Sequence, residues 1–95
     1  MTSICDLDAL TPVERERSVT TRRLLVAATT ARDELPDGYR FRLRADVALA
    51  VLGEWIALER RCCPLFAFEV AVAPANGPVT LTITGPPDVK EILGS

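Results

Sequence analysis

The sequence predicts an α+β domain: a four-stranded, mainly antiparallel sheet packed against helices, in the order α-β-β-α-β-β-α. Three observations carry this. Two segments keep a helical period, three short segments alternate apolar and polar residues, and turn-forming Pro, Asp, Asn and Gly residues separate them. The chain of 95 residues holds no repeat, low-complexity tract or linker, so residues 1-95 read as one domain.

The first helix opens at Thr11-Pro12-Val13-Glu14. Thr11 suits the cap, Pro12 the first helical position, and Glu14 completes a capping box. The helix is expected to reach about Leu25. Leu35-Pro36-Asp37-Gly38-Tyr39 reads as a turn between strands. Tyr39, Phe41 and Leu43 alternate with Arg40, Arg42 and Arg44, a half-buried strand. A strand needs a neighbour, so residues 27-35 are assigned as its hairpin partner, although Leu24, Ala28, Ala31 and Leu35 would also suit a longer helix.

The second helix is expected from Val47 to Cys63, with Asp46 as its cap. Ala48, Val51, Trp55, Leu58 and Cys62 form one row, and Leu49, Leu52, Ile56, Glu59 and Cys63 the adjoining one. Two apolar rows imply two covering surfaces: the sheet, and either the first helix or a second subunit. Phe66 to Val72 and Val79 to Thr84 alternate as the last two strands, with Asn76-Gly77 as a hairpin signal. Pro87 to Leu93 would form a short closing helix.

Composition narrows the function. The net charge is −2, which offers no broad attraction for nucleic acid or acidic membranes. The N-terminus lacks a basic start and an apolar signal core, and no run approaches the length of a membrane span, so a cytoplasmic location is expected. Apolar residues make up 48% of the chain and the mean hydropathy is +0.20. So apolar a surface on so short a chain suggests a homodimer.

The chemistry lies in Cys62-Cys63-Pro64. Two thiols end the second helix, Cys5 is the third cysteine, and the chain has no histidine. In a reducing compartment these are expected to be reduced thiols or ligands rather than a structural disulfide framework. Cys63 lies four residues after Glu59, so a carboxylate can approach the sulfur. Cys62, Cys63, Cys5 and Glu59 are therefore the candidate ligands of a thiophilic ion: zinc, Cu(I), Hg(II) or As(III). Adjacent cysteines suit low-coordinate Hg(II) or As(III) better than structural zinc.

Two other readings compete. A thiol redox protein would use the same sulfurs, but a helix C-terminus should raise a thiol pKa, and no histidine can act as base. A non-catalytic interaction domain would use both cysteines as packing residues, since buried cysteine behaves as a small hydrophobe. Arg15, Arg17, Arg22 and Arg23 are interleaved by Glu14 and Glu16 and read as a solvated helix face. Arg40, Arg42 and Arg44 could hold an anion or protect a strand edge.

The stretch Trp55-Ile56-Ala57-Leu58-Glu59-Arg60-Arg61-Cys62-Cys63-Pro64-Leu65-Phe66 resembles small bacterial proteins with a Leu-Glu-Arg-x-Cys-Cys-Pro-Phe motif. Their Leu-Pro-x-Gly-Tyr turn is similar to Leu35 to Tyr39. Their Leu-Thr-Gly-Pro and Val-Lys-Glu segments are similar to Ile83 to Pro86 and Val89 to Glu91. The early cysteine before Asp-Leu matches Cys5-Asp6-Leu7. The chain departs in having Leu65 where the motif has phenylalanine. The resemblance implies a common small domain and does not itself name an activity.

Overall fold

The structure is a computed structural model, and residues 7–87 of it are described. A short 3-10 turn, Leu7–Ala9, precedes α1 (Pro12–Ala28), β1 (Thr29–Leu35), β2 (Gly38–Leu43), α2 (Leu49–Cys62), β3 (Ala67–Val72) and β4 (Val79–Thr84). The order α-β-β-α-β-β is as expected. Cys5 and nearly all of the expected closing helix, Pro87 to Leu93, lie outside the described residues.

Helix α1 begins as its sequence dictates. Thr11 Oγ1 accepts from the Glu14 N–H at 3.1 Å, and the Glu14 carboxylate accepts from the Thr11 N–H at 2.9 Å. This capping box contributes about 1 kcal/mol. The helix runs three residues past Leu25. Leu25 and Ala28 are both buried, and Thr29 Oγ1 donates to the Leu25 carbonyl at 2.9 Å, satisfying one of the end carbonyls. The Arg44 N–H reaches the Ala28 carbonyl at 2.9 Å, tying the helix end to the end of β2. Thr21 is fully buried, and its hydroxyl bonds back to Arg17 and Ser18 carbonyls, so its burial leaves no orphan donor.

All strand pairs are antiparallel, and the sheet order is β1-β2-β4-β3. Strand β4 therefore sits inside the sheet, which the alternation alone does not reveal. Its Val79, Leu81 and Ile83 are buried opposite Leu43, Phe41 and Tyr39 of β2 and Val72, Val70 and Phe68 of β3. The facing side chains Arg40, Arg42, Thr80, Thr82 and Glu69 form the polar side of the sheet. Gly38 is required where β2 meets β4, because a Cβ there would lie 1.9 Å from the Ile83 carbonyl oxygen.

The second hairpin uses a different turn from the one Asn76-Gly77 suggests. Positive φ falls on Ala75 (58°) and Asn76 (57°), and the Gly77 N–H closes on the Pro74 carbonyl at 3.1 Å. Two central residues at positive φ mark a primed turn, whose twist matches the strands. Ala75 carries the steric cost that glycine would avoid.

Helix α2 starts later than expected. Ala48 occupies the cap without a side-chain hydrogen bond, and Asp46 instead pairs with Arg44 Nε at 3.3 Å. Leu52, Trp55, Leu58 and Cys62 are its buried residues. Trp55 meets Phe68 of β3 edge to face, ring centres 5.9 Å apart, which fixes the sheet-facing side. Two ion pairs bind α1 to the other side: a bidentate Arg17–Glu54 contact and Arg61–Glu14. The sheet and α1 thus each meet one side of α2. Exposed apolar residues remain, among them Leu49 on α2, Val13, Val19 and Val26 on α1 and Val70 and Val72 on β3.

Candidate metal centre

Helix α2 ends where its backbone runs into Pro64. The Cys63 N–H closes the last turn on the Glu59 carbonyl at 2.6 Å. Proline lacks an N–H and disfavours helical geometry in the residue before it, so Cys63 leaves the helix with extended φ and is the C-cap. Cys62 and Cys63 are then directed differently along the chain, yet both are buried in the main core, at 3% and 2% exposure. Their sulfurs are 3.6 Å apart.

Glu59 completes the cluster. Its Oε2 lies 3.7 Å from Cys62 Sγ and 3.5 Å from Cys63 Sγ, and its Oε1 accepts from the Ser18 hydroxyl at 3.1 Å. One ligand atom from each of Glu59, Cys62 and Cys63 can be chosen so that all lie within 4.8 Å of one another. Helix spacing brings the carboxylate to the sulfurs, as Glu59 and Cys63 predict; Ser18, 41 positions away on α1, has no local sequence signal. Arg61, in the last turn of α2, is engaged by Glu14 and donates to the Ala9 carbonyl at 2.9 Å, so it serves the helix packing. Cys5, the remaining candidate ligand, lies outside the described residues.

One expectation is corrected. Cys63 is disulfide-bonded and Cys62 is a reduced thiol, whereas three reduced cysteines were expected. At 3.6 Å the Cys62 sulfur is far outside S–S bonding distance of Cys63, so the disulfide is not the strained vicinal one. In this oxidation state Cys63 Sγ has no proton to give Glu59, and Cys62 is the thiol donor of the cluster. Burial favours such a bond, since a sulfur in the core is shielded from exchange with external thiols.

Electrostatics elsewhere concentrate on the helix pair. The Arg61 guanidinium, by hydrogen bond, holds the Glu14 carboxyl below the usual carboxylate range, with the Thr11 N–H adding to it. Arg17 does the same for Glu54, and Glu54 in turn raises Arg17. No helix among the described residues is long and apolar enough to cross a membrane.

Comparison with known proteins finds no match: no family model fits the chain, and no curated protein or solved structure shows significant similarity to it.

Proposed function

We propose that the reduced protein binds one soft metal or metalloid ion through Cys62, Cys63 and Glu59. The observation that carries this is the convergence of two sulfurs and a carboxylate within 4.8 Å at the end of one helix. Cys5, the only other cysteine of the sequence, is the candidate third sulfur. The sulfur separation favours particular ions. With a metal–thiolate bond of ~2.3 Å, sulfurs 3.6 Å apart subtend roughly 103° at the ion. That angle suits a pyramidal or tetrahedral centre such as As(III) or zinc. A linear two-sulfur Hg(II) complex would need the sulfurs to separate. Glu59 would take up one of the two thiol protons that ion binding must release, the other passing to solvent, or act as the oxygen ligand.

Reduction comes first, because a disulfide sulfur is not a thiolate ligand. The test is anaerobic: reduce with a phosphine, remove it, titrate with arsenite and weigh the protein under native conditions. One arsenic per chain is expected, and none in the Cys62→Ser, Cys63→Ser double variant. Binding that is equal in wild type and double variant overturns the reading.

The disulfide favours a second reading, a thiol redox protein. A Cys62 thiolate beside the Cys63 disulfide can form a new S–S bond while the old one breaks and its other sulfur leaves as thiolate. An external dithiol would supply the two electrons and two protons of net reduction. Rapid alkylation at pH 6, or a Cys63 disulfide that opens and closes at glutathione potentials, would move the assignment to this reading.

A further inference from the structure

We propose that the protein has a second binding site, for a small carboxylic acid with an apolar body, in the cavity between the C-terminal half of α1, Trp55 of α2 and the sheet. The cavity measures about 400 Å³, within the range of small-molecule sites. It is separate from the thiols: none of Glu59, Cys62 and Cys63 lines it.

Its lining sorts into two kinds of surface. Leu25, Phe41, Leu81 and Trp55 give it an apolar lining, and Arg22 of α1 and Arg32 of β1 contribute two cations to it. No acidic side chain is among the described lining residues. Arg32 is held in place by the Tyr39 ring, its guanidinium carbon 4.8 Å from the ring centre. Arg17, Arg44 and Arg61 have carboxylate partners, whereas Arg22 and Arg32 have none among the described residues. Two guanidinium groups with no carboxylate partner among the described residues, beside an apolar lining, match a carboxylate on an apolar body.

Trp55 joins the cavity to the core. Trp55 is 6% exposed, and its indole Nε1 is buried with no hydrogen-bond acceptor. An indole N–H can only donate, and buried ones usually find a partner. This is the one orphaned buried side-chain polar atom among the described residues, and it belongs to a side chain that lines the cavity.

Trp55 is also the only tryptophan of the chain, so in the folded protein its emission comes from a residue that lines the cavity. The experiment titrates the full protein with octanoate and, as a neutral control, 1-octanol, following Trp55 fluorescence and the sedimented mass. Octanoate should give a saturable change at one site per 10.3 kDa chain. Arg22→Gln with Arg32→Gln should weaken octanoate at least tenfold and leave 1-octanol unchanged. Both arginines are exposed, so the fold should survive. Val26→Phe, at an exposed lining position, should weaken both probes by obstructing the mouth. The proposal is overturned if octanoate gives no saturable change or if the double arginine variant binds it equally. It is also overturned if the signal tracks a doubling of mass, which would make the cavity an interface between copies.

Discussion

Replacing Cys62 and Cys63 by alanine separates ligand chemistry from packing. Each change deletes one heavy atom from a nearly solvent-free position. By analogy with deleting one buried methylene, each should cost about 1 kcal/mol, and the adjacent pair about 2 kcal/mol if the two add. A 95-residue domain typically has ~5–14 kcal/mol of stability, so the double variant should remain folded. The assay is urea unfolding under phosphine, read by Trp55 emission, so that loss of the Cys63 disulfide does not enter the difference. Arsenite at 100 times its dissociation constant should then stabilise the wild type by about 2.7 kcal/mol. That would raise its melting temperature by roughly 10–20 °C. The double variant should show no shift. An arsenite shift of equal size in both proteins would refute the site. A loss above ~4 kcal/mol from either single variant would mean that the cysteines are chiefly core residues.

Two further predictions concern the scaffold. Gly53 lies exposed in the middle of α2 with nothing within 4 Å of an added Cβ, so Gly53→Ala should stabilise by about 0.8–1 kcal/mol. Gly38→Ala should do the opposite, by ~1–3 kcal/mol, because its Cβ meets backbone rather than a side chain that can swing away; urea midpoints of opposite sign check the pair. Glu14 and Glu54 titrate below the ordinary carboxylate value when folded. Their contribution is therefore present above that ordinary value and lost as pH falls through the lowered one. Urea midpoints should drop as the pH falls below about 4.5, with a smaller drop in Glu14→Gln with Glu54→Gln and at high salt.

Much of the fold is legible in local pattern. The Thr11 capping box, the alternation of β2, β3 and β4 and the two rows of α2 all carry their own periodicity or hydrogen-bonding logic. What escapes is decided by distant partners. Strand β4 becomes central only because it pairs with both β2 and β3. Strand β1 is an edge, with Thr30 to Glu34 exposed, so it shows no burial alternation and its start blurs into α1. Asp46 has the chemistry of a cap but stands two residues before Ala48, which the chain uses instead. Of the candidate metal centre, Glu59, Cys62 and Cys63 follow from helix spacing. The disulfide at Cys63 and the Ser18 contact depend on tertiary approach, which spacing does not encode.

The placement of the thiols explains why helix packing bears on their chemistry. Glu59 reaches the sulfurs with one carboxylate oxygen and Ser18 of α1 with the other. The Glu59 carboxylate is thus oriented by a helix that is itself held against α2 by Arg17–Glu54 and Arg61–Glu14. Pro64 stops α2 at the point where Cys63 must turn out of it, which brings adjacent sulfurs to 3.6 Å instead of spreading them around a continuing helix. The same α1–α2 pair forms a wall of the cavity beside Trp55, on the helix portion remote from the cysteines. Conditions that loosen the pair, acid above all, should therefore weaken both sites together, whereas cysteine substitutions should silence only the first.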